Sequence, residues 1–486
     1  MKHHAQPTSG LSKELHPAGI PAHGPELSHV LNEAARCLLC HEAPCSKACP
    51  AATDPATFIR KLRLRNVKGA IRTIKENNIL GGICALVCPT EQLCQKGCVA
   101  AGLDRPIDIA LIQRHLVEQG WRIGFDPLTR GPAREGKVAV IGSGPAGLAC
   151  AAEVARQGFQ VEVFESQEEP GGVLRYGVPS FRLPPEFLDR ELEDLRKLGV
   201  KISCGRKIEA GGAEKLLARK FQAVFVAPGT WRPIGLDLPG FDLPQVVTAR
   251  DFLCAMRSGA TARMARLIKG KNVAVYGGGS VAMDAATTAA ALGANKVYLL
   301  YRRSLREMPA TRHDLDMALA NNVHLRTMSI ITRLIGEKGR LVALEGQETD
   351  WRTPGDTTAA NLIPVPGTSF TLRIDAFIPA LGYQPEEECR AICAGVKVSR
   401  KGLIETKRDG VSTSHPRIFA GGDIVRGPAL VVEAVADGKA AGQQIVRLLS
   451  ENTHRGKGPS EGTKRQKPRV FSGRAAPVAR GRKGGN

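Results

Sequence analysis

The pattern of apolar and polar residues divides the chain into a helical part and two copies of a strand–turn–helix unit. In the first 130 residues, apolar positions recur with helical spacing, as in Phe58–Leu64 and Ile107–Glu118, without convincing strand alternation. Residues 137–165 then show an apolar strand, a glycine-rich turn, an alanine-rich helix and a second strand, and residues 271–303 repeat this order. Two copies of one such plan predict an α/β fold.

The C-terminal part of the chain returns to short strands and ends in a basic segment. Residues 373–385 and 418–425 each have the pattern of a strand that runs into a glycine turn, and a final helix is predicted from about Ala429 to Leu449. Residues 451–486 contain ten Lys and Arg against two Asp and Glu, among many Gly, Pro and Ser. Such a segment cannot bury enough apolar surface to fold, so we predict a disordered tail.

A chain of 486 residues is expected to form two or three domains. We predict an N-terminal all-α domain followed by two Rossmann-like dinucleotide-binding domains, the second inserted in the first. The predicted boundaries are 1–130 for the helical domain, 131–245 and 385–450 for the two parts of the first Rossmann-like domain, 246–384 for the inserted domain and 451–486 for the tail.

Charge and composition narrow the function only slightly. The net charge is +21, but much of the excess lies in the tail, and the core shows no aromatic stacking platform for nucleic acid. A basic nucleic-acid-binding or redox-sensing protein therefore stays as an alternative of a different class. No apolar run approaches the roughly 20 residues of a membrane span. The N-terminal sequence MKHHAQPTSG lacks the apolar region of a signal peptide, so we expect a cytoplasmic protein.

The first glycine-rich turn has the GxGxxG spacing of a dinucleotide site. Its first glycine permits a tight turn, its second lets the backbone approach a pyrophosphate, and its third allows close helix–strand packing. The phosphates would meet the helix N-terminus, where free N–H groups favour anions. Glu165 ends the next strand and is placed to accept ribose hydroxyls. The turn comprises Gly142, Ser143, Gly144, Pro145, Ala146 and Gly147.

The second turn differs from the first in two ways. It carries alanine in place of the last glycine, in the order Gly277, Gly278, Gly279, Ser280, Val281, Ala282. Its second strand ends in Tyr301, Arg302 and Arg303, with no acid at the position that corresponds to Glu165. An acid there selects a free 2′-hydroxyl, whereas arginines accommodate a 2′-phosphate. The arginines favour NADPH over NADH, the alternative being that they are ordinary surface residues.

Two dinucleotide sites in one chain predict hydride transfer between a nicotinamide and a flavin. Gly422 and Asp423 follow a predicted strand and resemble the turn by which flavoproteins with two dinucleotide sites bind the FAD pyrophosphate and ribityl chain. We therefore assign FAD to the first repeat and the nicotinamide nucleotide to the second. The downstream turn must then fold back beside Gly142.

Eight of the thirteen cysteines lie close together in the helical part, at positions 37, 40, 45, 49, 84, 88, 94 and 98. Clustered cysteines in a chain without a signal peptide indicate metal or redox chemistry rather than disulfides. Structural zinc is the alternative, but its sites usually show two CxxC knuckles. Cys49-Pro50 and Cys88-Pro89 are typical of ferredoxin-type loops, and a flavoprotein needs one-electron carriers, so iron–sulfur clusters are favoured.

Several segments together are similar to one known family. They are CLLCHEAPCSKACP, ENNILGGICALVCPTEQLCQKGC, PIDIALIQR, GSGPAG, PGG (170–172), VPSFRLP (178–184), GGGSVAMD, PALG (379–382) and AGGDIV. They resemble the FAD and iron–sulfur electron-input subunit of bacterial NAD(P)H-dependent dihydropyrimidine dehydrogenase, over roughly residues 28–450. The small subunit of glutamate synthase shares the whole architecture. The resemblance is therefore more specific for this superfamily than for one member.

The resemblance implies two [4Fe-4S] clusters with different ligands. One is held by Cys37, Cys40, Cys45 and Cys98. The other is held by Cys49, Cys88, Cys94 and the amide oxygen of Gln113, and Cys84 takes no part. Gln113 separates the two families, because dihydropyrimidine dehydrogenases carry glutamine here and glutamate synthase subunits carry glutamate. An uncharged amide is expected to shift the potential of its cluster.

The resemblance also implies the nucleotide contacts. For FAD they are Gly142, Ser143, Gly144, Pro145, Ala146, Glu165, Gly172, Arg182, Gly422 and Asp423. For the nicotinamide nucleotide they are Gly278, Gly279, Ser280, Val281, Arg302, Arg303, Ala380 and Gly382, with Arg306 as a further candidate. Ser280 stands where relatives commonly have aspartate, so a charge is lost beside the nucleotide. The NAD-linked bacterial subunits lack the arginine pair and the glutamate synthase subunits have it, so NADH and NADPH both stay open.

The resulting prediction is an oxidoreductase that takes hydride from NAD(P)H onto FAD and passes single electrons to the clusters. Orientation of the two rings supplies most of that rate, and no catalytic side chain is assigned. The resembled enzyme reduces uracil or thymine on an FMN-containing barrel, for which this chain shows no region. We therefore expect an FMN-containing catalytic subunit as partner in a hetero-oligomer, with no nucleic acid and no membrane. The alternative is a glutamate synthase small-subunit-type NADPH oxidoreductase that supplies electrons to glutamate synthesis or to a ferredoxin-like acceptor.

Overall fold

The computed structural model describes residues 26–353 and 355–456. From residue 457 onward, the predicted basic tail lies outside the described residues. In the described ranges, no helix is both long enough and apolar enough to cross a membrane.

Between residue 26 and the first strand, six α-helices are described, and their apolar faces meet in one core. Phe58, Ile71 and Leu116 lie in this core, each at most 1% exposed. Asp54 caps the third helix, because its side chain accepts a hydrogen bond from Thr57 N–H. The helices are α1 (Leu27–Ala35), α2 (Pro44–Lys47), α3 (Pro55–Arg63), α4 (Val67–Asn77), α5 (Gly81–Val87) and α6 (Ile109–Arg122).

The first α/β unit begins directly after the helical domain. Its elements are β1 (Lys137–Ile141), α7 (Pro145–Arg156), β2 (Gln160–Phe164), α8 (Val173–Tyr176), α9 (Pro185–Lys197), β3 (Lys201–Ser203), α10 (Gly212–Arg219), β4 (Ala223–Val226) and β5 (Arg232–Pro233). Strands β1 and β4 are almost completely buried, as expected for parallel strands covered on both faces.

The inserted unit contains a second parallel sheet and a smaller antiparallel one. Its elements are α11 (Ala249–Arg257), α12 (Thr261–Ile268), β6 (Asn272–Tyr276), α13 (Ser280–Ala291), β7 (Lys296–Leu300), α14 (Arg312–Ala320), β8 (Val323–Arg326), β9 (Ser329–Glu337), β10 (Arg340–Trp351), β11 (Leu362–Pro364), β12 (Phe370–Arg373), β13 (Ala376–Pro379) and β14 (Tyr383–Gln384). The parallel sheet has the order β13-β6-β7-β8.

The chain then returns to the first unit through α15 (Glu387–Ala391), β15 (Ile418–Ala420), α16 (Asp423–Arg426) and α17 (Val431–Gly456). Strand β15 pairs in parallel with β4, which completes a sheet of order β15-β4-β1-β2-β3. Helix α17 packs so closely on α7 that a Cβ atom at Gly438 would lie 2.1 Å from the Ala146 carbonyl oxygen. It ends at Gly456, seven residues beyond the end that its apolar pattern predicts.

The predicted fold class is confirmed: an all-α domain precedes two Rossmann-like units, and the second unit is inserted in the first. Strands β5 and β14 pair antiparallel where the chain enters and leaves the insert. The antiparallel sheet of β9 to β12 was not predicted. Its longest strands, β9 and β10, shift register twice along their pairing, and such bulges interrupt the period-2 pattern that identifies a strand.

A buried ion-pair group joins the helical domain to the first α/β unit. Lys75 on α4 lies 3.1 Å from a Glu191 oxygen and 2.8 Å from an Asp194 oxygen, both on α9. The two Glu191 oxygens also accept hydrogen bonds from the backbone N–H groups of Gly82 and Ile83, at 3.0 and 3.1 Å. Glu191 therefore satisfies free donors at the start of α5, where the helix dipole favours a negative charge.

Glu191→Ala should destabilise the protein by about 3–5 kcal/mol, because it removes one partner of a buried pair and leaves two buried N–H groups without an acceptor. Urea unfolding at neutral pH measures this change. The matched control is Glu193→Ala on the same helix, where the carboxylate is 53% exposed and lies 3.5 Å from Arg196. This control should lower the free energy of unfolding by about 0–1 kcal/mol. Equal losses in the two variants would contradict the assigned role of Glu191.

Candidate dinucleotide and iron–sulfur sites

The first glycine turn is shaped by close backbone packing on two sides and is open on the third. A Cβ atom at Gly142, whose φ is +96°, would lie 2.3 Å from the Ala227 oxygen, and one at Gly147 would lie 2.0 Å from the Gly142 oxygen. Gly144 precedes Pro145 at the start of α7, and a Cβ there would meet no atom within 4 Å. The turn therefore leaves room for a phosphate at the helix N-terminus, as a dinucleotide requires.

Ser143 and Glu165 hold this turn in place through buried hydrogen bonds. Glu165 Oε2 accepts from the Ser143 backbone N–H at 3.0 Å and from its hydroxyl at 2.5 Å. The Ser143 hydroxyl in turn accepts from Gly171 N–H at 2.9 Å, and a Cβ at Gly172 would lie 2.9 Å from Gly144 Cα. The PGG segment therefore packs against the glycine turn. The Ser143 side chain is hydrogen-bonded within this loop and does not point into open space.

The downstream turn lies beside the first one. A Cβ at Gly422 would be 3.1 Å from Ala146 Cβ, and Gly422 N–H donates to Asp437 Oδ2 at 2.9 Å. Asp423 follows at the start of α16, with Thr230 Oγ1 at 3.5 Å from its Oδ2. Burial raises the pKa of Asp423 to about 6. The Ala429 backbone N–H also donates to this half-buried carboxylate, which can in addition accept hydroxyl groups of a ligand.

The second glycine turn is packed in the same manner. A Cβ at Gly277 would lie 2.3 Å from the Ala380 oxygen, and one at Gly278 would lie 2.4 Å from the ring of Tyr301. The nearest atom to a Cβ at Gly279 is Pro309 Cγ at 4.0 Å, so this position, which precedes Ser280 and half-buried Val281 on α13, also faces free space. Gly382, with φ of +95°, accepts a hydrogen bond from Ile234 N–H at 3.0 Å.

Arg302 and Arg303 follow β7 at the edge of this turn. Their backbone is fixed, because Thr349 Oγ1 donates to the Arg302 carbonyl at 2.7 Å and Met328 N–H donates to the Arg303 carbonyl at 3.0 Å. The Arg302 side chain is exposed, and Arg306 also lies exposed a short distance along the chain. In the part of the chain that the structure describes, Arg303 Nε is buried without a hydrogen-bond partner. An anionic oxygen would satisfy that donor.

Arg182 lies between the two units rather than at the first turn alone. Its guanidinium forms ion pairs with Asp284 on α13 and, at 2.6 Å, with Asp314 on α14. Ser280 Oγ donates to Asp314 Oδ2 at 2.7 Å, so the residue that replaces the usual aspartate joins the same group. Burial raises the pKa of Asp284 to about 6, against the effect of Arg182. The predicted FAD contact of Arg182 would have to come from the rest of its guanidinium.

Four of the predicted cluster ligands lie together at the half-buried face of the helical domain. Burial raises the pKa of Cys45 to about 11, and the neighbouring thiols of Cys98 and Cys37 add to the rise. Burial likewise raises the pKa of Cys37, beside Cys98 and Cys40. Ile107 N–H points at Cys98 Sγ at 3.4 Å. These thiols would release protons when they bind iron.

The other predicted ligands line one small cavity, with about 20 Å³ of free space, between the helical domain and α17. Its wall includes Cys49, Cys88, Cys94 and Gln113, together with Cys84 and Val432. Gln113 Nε2 donates to the Gly81 carbonyl at 2.5 Å, which leaves the amide oxygen as the acceptor of this side chain. A hydrogen bond with Cys84, together with burial, raises the pKa of Cys88. Cys84 therefore lies against a predicted ligand.

Among the residues that the structure describes, no group of three Cys, His, Asp or Glu side chains is arranged to hold a single metal ion. A structural zinc site has four ligands around one ion, whereas each protein ligand of a [4Fe-4S] cluster binds a different iron.

Residues 136–438 match the family described as pyridine nucleotide-disulphide oxidoreductase. The chain belongs to this family. Residues 22–124 match the domain described as dihydropyrimidine dehydrogenase domain II, 4Fe-4S cluster. The chain is thus an oxidoreductase, and the predicted FAD, pyridine nucleotide and [4Fe-4S] cofactors are supported. The number of clusters and the residues that bind each cofactor stay predictions.

The resemblance to dihydropyrimidine dehydrogenase subunits is confirmed. A relative from Salmonella typhi, named NAD-dependent dihydropyrimidine dehydrogenase subunit PreT homolog, is 39% identical over 87% of this chain and 94% of its own length. The glutamate synthase [NADPH] small chain of Halomonas elongata is 30% identical over 86% of this chain and 90% of its own length. Mycobacterium tuberculosis FprA shares the fold, with a TM-score of 0.56 and 16% identity over 67% of this chain and 87% of that chain.

Two features of the sites were missing from the sequence interpretation. The contact of Arg182 with Asp284 and Asp314 joins residues more than 100 positions apart, and the pattern of a helix does not identify such a contact. The place of Cys84 in the cavity wall had one signal, its position four residues before Cys88 on a helix, which puts both thiols on one face.

Asp423→Asn should change the pH dependence of stability in FAD-free protein. The folded pKa of about 6 lies above the ordinary value of 3.8, so the buried charge costs stability increasingly as pH rises from about 4 to 6. At pH 8 the asparagine variant should be more stable than the parent by up to about 3 kcal/mol, and this gain should vanish near pH 4. Urea unfolding at both pH values measures the gain. The control is the exposed Asp237→Asn; a gain independent of pH would refute the assignment.

Proposed function

We propose that this chain is the electron-input subunit of an NAD(P)H-dependent dihydropyrimidine dehydrogenase. In this role it oxidises NAD(P)H through FAD and sends electrons through two [4Fe-4S] clusters to a partner subunit that reduces uracil or thymine. The partner is an FMN-containing catalytic subunit in a hetero-oligomer. The proposal is supported by the 39% identity to a protein named as a subunit of that enzyme.

One observation favours this function over glutamate synthesis: the position of Gln113. Its Nε2 is 2.5 Å from the Gly81 carbonyl oxygen, and the side chain lines the cavity with Cys49, Cys88 and Cys94. A glutamate here would place two acceptors against each other, so the amide is matched to its surroundings. The glutamine can donate to Gly81 and still offer an oxygen to iron.

The nucleotide-binding residues serve to bind and orient. FAD accepts two electrons as a hydride and releases them singly, and each cluster carries one electron. Gly144 and Gly279 admit phosphates at the starts of α7 and α13, and Asp423 accepts hydroxyls of the flavin chain. We call the first α/β unit, which is proposed to bind FAD, the flavin unit, and the inserted unit the nicotinamide unit. Arg182 of the flavin unit forms ion pairs with α13 and α14 of the nicotinamide unit, which holds the two units together. No side chain is needed to move a proton in the hydride step.

Of the two proposed cluster sites, the Gln113 cavity lies next to the flavin unit and the four-cysteine group lies in the helical domain. The Gln113 cavity borders Val432 of the unit proposed to bind FAD, whereas Cys37, Cys45 and Cys98 of the four-cysteine group pack against the core of the helical domain. Large apolar side chains are exposed in the segments that carry or adjoin the four cysteines: Leu38, Leu39, Leu64, Val99 and Leu103 are 40–77% exposed. Arg63 lies among them, donating to the Cys37 carbonyl at 2.5 Å. An exposed apolar patch of this kind supports docking of a partner at the electron exit.

A glutamate synthase-type function is the second candidate. It is supported by the 30% identity to a glutamate synthase [NADPH] small chain and by Arg302 and Arg303, which suit a 2′-phosphate.

The partner decides between the two functions. Purification of the chain from its native cell should recover an FMN-containing subunit, and the complex should oxidise NAD(P)H in the presence of uracil. Recovery of a large amidotransferase would overturn the proposal.

Leu103→Glu, which puts a charge among the exposed apolar side chains, should release the partner. Leu319→Glu, at a position 44% exposed on α14, is the matched control and should retain it.

The cofactor preference tests the arginine pair separately. In an assay with ferricyanide as acceptor, Arg302→Ala combined with Arg303→Ala should lower kcat/KM for NADPH by at least about ten-fold, because hydrogen bonds to charged groups each contribute about 1.5–3 kcal/mol. The value for NADH should change little. Arg333→Ala, which removes an exposed arginine paired with Glu345, is the control. An equal fall with both nucleotides would show that the arginines do not read the 2′-phosphate.

A further inference from the structure

A buried polar group lies directly behind the Gln113 cavity. Asn78 follows α4 and is 1% exposed, and Thr53, which precedes α3, is 2% exposed. Asn78 Nδ2 donates to Thr53 Oγ1 at 3.1 Å and to Cys84 Sγ at 3.3 Å. Asn78 Oδ1 accepts from Leu80 N–H at 3.0 Å, which fixes the orientation of the amide. One amide therefore contacts two side chains at the cavity.

Each of these two side chains contacts a proposed cluster ligand. Thr53 Oγ1 lies 3.4 Å from Cys49 Sγ, and Thr53 N–H points at the same sulfur at 3.5 Å. Cys84 is hydrogen-bonded to Cys88. Because Asn78 donates into both Thr53 Oγ1 and Cys84 Sγ, the protons of the hydroxyl and of the thiol are directed away from it. When Cys49 and Cys88 bind iron as thiolates, the Thr53 hydroxyl proton and the Cys84 thiol proton can therefore point at the ligand sulfurs.

We propose that Asn78, Thr53 and Cys84 raise the reduction potential of the cluster held by Cys49, Cys88, Cys94 and Gln113. This inference rests on the proposed function and its ligand set. Addition of one electron, with no bond made or broken and no proton taken up, increases the negative charge on the ligand sulfurs. Hydrogen bonds to those sulfurs stabilise the reduced form, and they are an established determinant of cluster potentials.

The cavity site combines hydrogen bonds to a ligand sulfur with a neutral ligand. Once Cys49 is a thiolate, its sulfur faces two donors from the Asn78 group, namely Thr53 N–H and the Thr53 hydroxyl, and Cys84 is hydrogen-bonded to Cys88. The neutral Gln113 ligand also leaves this site one negative charge short of four thiolates. Both features favour electron uptake at the site that borders the flavin unit.

The test is an anaerobic redox titration of the full-length, cluster-loaded chain, followed by electron paramagnetic resonance. Thr53→Val keeps the shape of the side chain and removes the hydroxyl. At the wild-type midpoint potential, it should lower the ratio of reduced to oxidised cluster by about two- to ten-fold, the range expected for one hydrogen bond. Thr53→Ser should restore the ratio. The control is Thr73→Val, a buried threonine of the same domain that bonds Gly69 and Lys61.

If Thr53→Val loses iron, Cys84→Ala provides an independent test. It should also lower the ratio of reduced to oxidised cluster at the wild-type midpoint potential. Unchanged midpoint potentials in Thr53→Val and Cys84→Ala, with both cluster signals intact, would overturn the proposal. Gln113→Ala separates this outcome from failure of the ligand set. If Gln113→Ala leaves every cluster signal unchanged, the ligand set is wrong and the inference falls with it. If it alters one signal whose potential Thr53→Val does not move, only the role of the Asn78 group is refuted.

Discussion

The relative position of the helical domain and the flavin unit depends on a buried carboxylate, Glu191. Electron transfer requires that two centres stay close together, and this carboxylate lies at the contact between the two units. Glu191 satisfies the first N–H groups of α5 and neutralises Lys75 from the preceding helix. Helix α5 leads directly to Cys88, so the group that joins the domains also determines where a proposed ligand lies. Lys439 of α17 strengthens the same contact, since it donates to the Ala51 carbonyl at 2.5 Å.

Local features of the sequence were enough to predict the fold and both glycine turns. At Gly142 and Gly147 any side chain would collide with a neighbouring carbonyl, so the glycine pattern carries the geometry within a few residues. Features that depend on distant contacts were not accessible in this way. From its helical pattern Gln113 is an ordinary polar residue, and only the contact with Gly81 explains its orientation. The family resemblance supplied its role, whereas the antiparallel sheet had neither a regular pattern nor a motif to identify it.

The charge lost at position 280 is compensated by the surroundings. Ser280 donates to Asp314, and Asp314 shares Arg182 with Asp284, so two carboxylates lie beside the second turn without an aspartate in the turn itself. The two carboxylates differ in pKa: burial raises the pKa of Asp284, whereas Arg182 and the hydrogen bonds from Ser280 and Thr311 lower that of Asp314 in spite of its burial. The negative charge near the second turn therefore depends on Asp284 of α13, Asp314 of α14 and Arg182, which lies in a loop of the first α/β unit.

The inserted unit enters and leaves the flavin unit through β5 and β14, two-residue strands that pair with each other. The flavin sheet closes without it, because β15 pairs with β4 as a direct neighbour. The residues proposed to bind the nicotinamide nucleotide thus occupy a segment that could diverge, or be replaced by recombination, while the flavin and cluster chemistry stayed intact. A family built in this way can exchange its source of reducing equivalents without rebuilding its electron-transfer path, and relatives that differ in nicotinamide preference are the expected product of that architecture.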